Sequence, residues 1–287
     1  MAVTSSDPVA PVPTRIGPRA QAVGQDWMDG QAPASPMRRY RVVRFFLRLV
    51  VRTFSRVRVD GADLLPAGPS ILCFTHENWA DPFYVFAAVP VCPRLYFFGP
   101  EQDEMRHGFR NRLMRWGGVV IPFRPGKRGL KAATARAETR LDEGAIVAIA
   151  GEGRIHAGEG TVLPLRDGPA YLSLRAGVPI VPMAINGTTW LGFRRVVRVR
   201  VGLPLEVPGL PGRPAADQVR RLTAQLQSSL EMLVADFPDQ LRPGPTGRWL
   251  TELFNEWPEG SRPGIDSQPE EDRRIQSASH PQDSIQS

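Results

Sequence analysis

Residues 129–151, "GLKAATARAETRLDEGAIVAIAG", constrain the fold more than any other stretch of the chain. Residues 129–144 read as a helix stopped by a glycine, and residues 145–151 are an unbroken apolar run of strand length. A strand without polar alternation has to be covered on both faces, as in a parallel sheet between helical layers. The pattern repeats along the chain. Strands are expected at Arg56–Val59, Ser70–Phe74, 94–99, 117–123 and 178–187, and at 196–207, where alternation suits a strand nearer an edge. Helices are expected after Pro82 and at 105–116, 169–177 and 215–237. This order predicts an α/β fold: a single domain with a mixed, largely parallel sheet flanked by helices.

The domain is expected over 56–256. Residues 1–37 carry six prolines and lack the apolar core of a secretory signal, and 257–287 are polar; both read as disordered tails. Between tail and domain, residues 38–55 form a basic amphipathic helix. The stretch 38–58, "RRYRVVRFFLRLVVRTFSRVR", holds eight arginines and no acid. Arg44, Arg48, Arg52 and Arg56 recur every four residues, a slowly drifting stripe on a helix. Its longest apolar run is three residues, which disfavours a membrane-spanning segment. A helix lying on an anionic bilayer fits this pattern. A helix packed on the domain with its arginines in water fits it too.

The formal charge is +7, which favours acidic partners. Nucleic acid is not expected among them, because the basic residues are not interleaved with exposed aromatics. The two cysteines, Cys73 and Cys92, make no disulfide framework, and no Cys/His cluster has zinc spacing, so no metal site is expected.

In such sheets, sites gather in loops leaving the C-terminal ends of strands. Three candidates are 75–82, 124–128 and 151–168. The first, "THENWADP", places His76 just past a buried strand and Asp81 five residues on. In an unbroken helix these would lie roughly 140° apart. Asp81 precedes Pro82, which disfavours αR at Asp81 and suits a helix starting at the proline. That turn lets the carboxylate swing back to the imidazole, fix its tautomer and leave the other nitrogen as a base. Spacing alone also allows Asp81 to be only a helix cap. No GxSxG elbow is present, and Cys73 should point into the sheet packing, so the attacking group is expected to be a substrate hydroxyl. The second loop offers Arg124, with the planar fork that suits phosphate. The third, "GEGRIHAGEG" (151–160), carries Glu152, Gly153 and Arg154 on a glycine-rich exit but satisfies neither common nucleotide-loop pattern.

In this order the stretches resemble the glycerolipid (lysophospholipid) acyltransferases, the group containing bacterial 1-acyl-glycerol-3-phosphate acyltransferases. His76–Asp81 matches the family's His-four residues-Asp motif. Arg124 matches the arginine after its second strand. Glu152–Gly153 matches the core of Pro-Glu-Gly-Thr-Arg, with Gly151 in place of the proline and Arg154 one position early. Val178–Pro182 matches Val-Pro-Ile-Val-Pro. The resemblance covers about 56–207. It implies acyl transfer from acyl-CoA or acyl-carrier protein to a lysophospholipid, with lysophosphatidate the leading acceptor. Another lysolipid acceptor, such as a lyso-aminolipid, or hydrolysis of the thioester are alternatives. His76 would be the base and Asp81 its orienting carboxylate. Arg124 and Arg154 would hold the acceptor phosphate, and Glu152 would position the acceptor or an arginine. No cofactor is implied, and a peripheral or monotopic place on the cytoplasmic face of a membrane is.

Overall fold

A computed structural model of the chain describes residues 38–100, 116–123, 127–155, 160–208, 213–237 and 245–254. The expected helix over 105–116 falls almost wholly outside them.

The described elements run α1 (Arg38–Phe54), β1 (Ser55–Asp60), β2 (Ser70–Phe74), α2 (Asp81–Ala88), β3 (Leu95–Pro100), β4 (Val120–Phe123), α3 (Lys127–Asp142), β5 (Ile146–Ala150), α4 (Gly168–Ala176), β6 (Ile180–Asn186), β7 (Arg195–Val201), α5 (Ala216–Val234) and α6 (Pro245–Phe254). The strands form one sheet of seven in the order β1-β7-β6-β2-β5-β3-β4. Every pairing is parallel except β6–β7, so the expected mixed, largely parallel sheet holds.

The unbroken apolar strands are buried on both sides, as their lack of alternation requires. Leu72, Phe74, Ala148, Met183 and Ile185 face a core built with α1 and α2. Ile71, Cys73, Val147, Ile149 and Ile180 face a second core built with α3, α4 and α5. Spacing explains the helical faces. Ala133, Ala137 and Leu141 recur every four residues on α3, and Leu222, Leu226 and Leu230 do so on α5. The edge strand β1 turns Arg56, Arg58 and Asp60 to solvent, which blunts pairing with other chains.

Two expectations change. The strand expected over 196–207 ends at Val201. A Cβ on Gly202 would lie 2.8 Å from Pro182 Cγ, so the chain turns away there, and only Leu205 returns to bridge Ile180. In α1, the arginine stripe does not lie wholly in solvent. Arg44 is buried with Tyr40, Val43, Leu47 and Val51 on the core face. Its guanidinium donates to the Val89 carbonyl at the end of α2 and sits over the Phe86 ring, 5.0 Å from the centroid. A cation at a helix C-terminus is favourable, and the carbonyl satisfies part of what burial would strand. With Arg44 inside, the apolar residues that share the wheel with it face out: Phe45, Phe46, Leu49, Val50 and Phe54 are each 50–64% exposed.

Candidate active site

The site forms where three neighbouring strands end. β2 lies between β5 and β6, and its pairing with β5 sets Phe74 opposite Ala150. Two residues beyond that pair, the two loops meet. The His76 backbone N–H donates to Glu152 Oε2 at 3.1 Å, while Glu152 Oε1 accepts the Leu163 N–H at 3.2 Å. Glu152 is buried, so its carboxylate ties the β2 exit to the far end of its own loop.

The turn from His76 to Asp81 brings the pair together. Asp81 Oδ2 lies 3.0 Å from His76 Nδ1 and accepts the backbone N–H groups of Glu77 and Asn78, both at 2.7 Å. Asp81 is the first residue of α2, with Pro82 next, and is fully buried. Its carboxylate therefore caps the preceding turn. Asn78 Oδ1 accepts the Ala80 N–H at 2.9 Å and closes the remaining corner. A carboxylate can only accept, so the ring carries its proton on Nδ1 and leaves the Nε2 lone pair free for base chemistry. The His76 side chain is 17% exposed and packs edge-on to Phe74, 5.8 Å between ring centroids.

The Cys73 thiol and the Thr75 and Thr189 hydroxyls are committed elsewhere, whereas the Thr188 hydroxyl, beside Thr189, is buried with no hydrogen-bond partner among the described residues. Cys73 is fully buried, and that burial, with the Glu152 charge second, pushes its thiol pKa up. The Thr75 hydroxyl accepts the Ile185 N–H at 3.0 Å, and the Thr189 hydroxyl donates to Glu77 Oε2 at 2.8 Å. This last pair links the β2 exit to the loop after β6. The sequence reading missed it, although a loop leaving the strand next to β2 is where such a partner is to be sought.

Gly151, where the related motif has proline, has a local cause. A Cβ there would lie 2.7 Å from Cys73 Sγ and 2.8 Å from Leu165 Cδ2. Cys73 on β2 and Leu165 together crowd the position, and glycine fits without moving either side chain. Gly153 takes a left-handed turn, φ 72°, and Arg154 follows it, half-buried. Of the six expected site residues, His76, Asp81 and Glu152 are thus joined by hydrogen bonds, Gly153 and Arg154 follow on the Glu152 loop, and Arg124 lies outside the described residues. Among the described residues, no group of three or more His, Cys, Asp or Glu could hold a metal ion.

The family model described as Acyltransferase matches residues 56–186, the span from β1 through β6 that contains the loops of His76 and Glu152 and stops short of Thr189. Residues 56–186, a little under half of the chain, are thus similar to the acyltransferase family. The fold matches the crystal structure of the 1-acyl-sn-glycerophosphate (LPA) acyltransferase PlsC from Thermotoga maritima, with a TM-score of 0.53 and 19% identity over 70% of this chain and 81% of that one. The resemblance drawn from the motifs is therefore borne out in family and in fold. α1 precedes the matched span in sequence, yet Tyr40, Val43, Leu47 and Val51 place it inside the same core as the acyltransferase domain.

Proposed function

We propose that the acyltransferase domain moves a fatty acyl group from a thioester donor to the free hydroxyl of a lysophospholipid, most simply 1-acyl-glycerol-3-phosphate to give phosphatidate. The observation that carries this reading is the His76–Asp81 contact at a strand exit where the Cys73 thiol is buried and the Thr75 and Thr189 hydroxyls are hydrogen-bonded. His76 Nε2 takes the proton of the acceptor hydroxyl as its oxygen attacks the thioester carbonyl. The buried Asp81 carboxylate stabilises the imidazolium. Collapse of the tetrahedral intermediate breaks the C–S bond, and the imidazolium returns the proton to the departing thiolate of coenzyme A or acyl-carrier protein. Arg154, with Arg124, holds the acceptor phosphate. No step draws on a cofactor.

Both acceptor and product live in a bilayer, and α1 is suited to meet one. Its outward apolar face continues through the Phe54–Phe193 contact, 6.0 Å between centroids, and exposed Arg38, Arg39, Arg41 and Arg52 flank it. No described helix is long and apolar enough to cross a membrane. The reading is a protein resting on an anionic membrane surface at the cytoplasmic face.

The test is purified protein with labelled acyl-CoA or acyl-carrier protein, with and without lysophosphatidate and other lysolipids. Acceptor-dependent diacyl product supports transfer and identifies acceptor and donor. Acceptor-independent free fatty acid would instead indicate a hydrolase. Co-sedimentation with anionic vesicles, weakened by salt and by Phe45→Ser/Phe46→Ser/Leu49→Ser, tests the surface; unchanged binding by that variant refutes it.

A further inference from the structure

Thr188 and Thr189 are adjacent and buried in the loop after β6, yet their hydroxyls differ. Thr188 Oγ1 has no hydrogen-bond partner among the described residues, whereas Thr189 Oγ1 donates to Glu77 Oε2 at 2.8 Å. A hydroxyl donating to a carboxylate makes one of the stronger hydrogen bonds. Glu77 is buried, so bulk water does not replace that donor.

From Glu77 the path to the His–Asp pair is short. The Glu77 N–H donates to Asp81 Oδ2 at 2.7 Å, and the same oxygen lies 3.0 Å from His76 Nδ1. A displaced Glu77 peptide therefore changes the oxygen that orients the imidazole. On the other side of His76, Thr75 is tied to β6 twice. Its N–H donates to the Met183 carbonyl at 3.1 Å, and its Oγ1 accepts the Ile185 N–H at 3.0 Å. His76 is thus bracketed by two residues fastened to β6 or to the loop that leaves it, and the Thr189 bond fastens the second of them.

A side chain that positions another needs a fixed support of its own. The loop carrying Thr189 is fixed along its length. Gly187 takes φ 99°, and a Cβ there would lie 2.4 Å from the Val196 carbonyl oxygen, so only glycine makes this exit from β6. The Leu191 N–H donates to Thr251 Oγ1 of α6 at 2.8 Å, and the Arg194 N–H to the Phe54 carbonyl of α1 at 2.6 Å. Thr189 lies beyond the span matched by the family model, so its role is read from the fold and not from the resemblance.

We propose that Thr189 is a positioning residue for His76 and Asp81: through Glu77 it fixes the peptide that shares Asp81 Oδ2 with the imidazole. The kinetic consequence rests on the acyl-transfer reading above, and the coupling itself does not. The test compares three variants of the full chain. Thr189→Val keeps the branched shape and removes the bond, Thr189→Ser keeps a hydroxyl, and Thr188→Val removes the partnerless hydroxyl next door. Thr189→Val should lower kcat about tenfold, the rate equivalent of one lost hydrogen bond to a charged group, with acceptor KM within about twofold of the parent. Thr189→Ser and Thr188→Val should keep kcat within about threefold of the parent. Nitrogen–proton correlation spectra of the imidazole rings, with the His76 signals identified by their loss in His76→Ala, read the coupling without turnover. Thr189→Val should shift those signals, and Thr188→Val should leave them in place. If Thr189→Val does not fold, Thr189→Ala set against Thr188→Ala carries the same comparison. Shifted His76 signals in a protein without transferase activity uphold the coupling and overturn only the reaction. Unmoved His76 signals in Thr189→Val overturn the proposal whatever the kinetics. So does an equal loss of kcat in Thr188→Val, which would make the effect one of loop packing, and so does a loss carried by KM alone, which would make Thr189 an acceptor contact.

Discussion

Replacing Glu152 by glutamine separates two roles for that residue. The geometry makes it a clamp: one carboxylate oxygen takes the His76 N–H at 3.1 Å and the other the Leu163 N–H at 3.2 Å, and the side chain is 2% exposed. Glutamine keeps the shape but offers one acceptor oxygen and one NH2 group, so one buried backbone N–H faces another donor. A lost charge-assisted hydrogen bond together with an orphaned buried amide costs about 2–4 kcal/mol. For a domain of this size that lowers Tm by about 5–10 °C in a thermal melt. Because the clamp acts on the His76 backbone, the imidazole shifts with it, and a misplacement of about 1 Å costs roughly 100-fold in rate. The expected result is a fall in kcat with little change in KM for the acceptor. An unchanged Tm together with a raised acceptor KM would refute the clamp and restore the role expected from the resemblance, in which Glu152 positions the acceptor or an arginine.

Other predictions concern the same loops. Asp81→Asn keeps the side-chain shape but weakens the hold on the Nδ1 proton and the two backbone N–H groups, so kcat should fall by about 10²–10⁴ in steady-state kinetics; activity within a factor of a few would exclude Asp81 as the orienting group. Gly151→Ala should destabilise the chain by about 1–3 kcal/mol through overpacking, measured by chemical denaturation. Adding Cys73→Ala to it should recover part of the loss, since Leu165 Cδ2 would still lie 2.8 Å from the new methyl, and an equal loss with and without that second change would show that the thiol is not the obstacle. Under native conditions iodoacetamide should label exposed Cys92 and spare Cys73, whose buried thiol resists ionisation; mass spectrometry reads the outcome.

The sheet was legible because unbroken apolar runs such as Ile146–Ala150 have only one comfortable environment. The His–Asp turn was legible because Pro82 marks a helix start, although the helix begins one residue earlier than expected, at Asp81 itself. What the Asp81 carboxylate does was only half legible: the sequence places it beside a helix start, but its two bonds to Glu77 and Asn78 depend on the folded turn. The inward aim of Glu152 depends on how β2 and β5 align, a tertiary register that local sequence does not carry. Arg44 misled for a similar reason. Periodicity sorts charges to the wet face, and the carbonyl that receives this one lies 45 residues away.

The Arg44 contact has a consequence for handling the protein. α2 is fastened at both ends: at its start Asp81 grips the His76 turn, and at its finish the Val89 carbonyl is held by α1. The first helix is therefore not a detachable anchor. Cutting the chain back to residue 56 would bare Phe86 and Val85 and unfasten the helix that carries Asp81. The proposed affinity for a membrane surface is to be tested, and reduced, by repainting the outward side chains of α1 with the helix left in place.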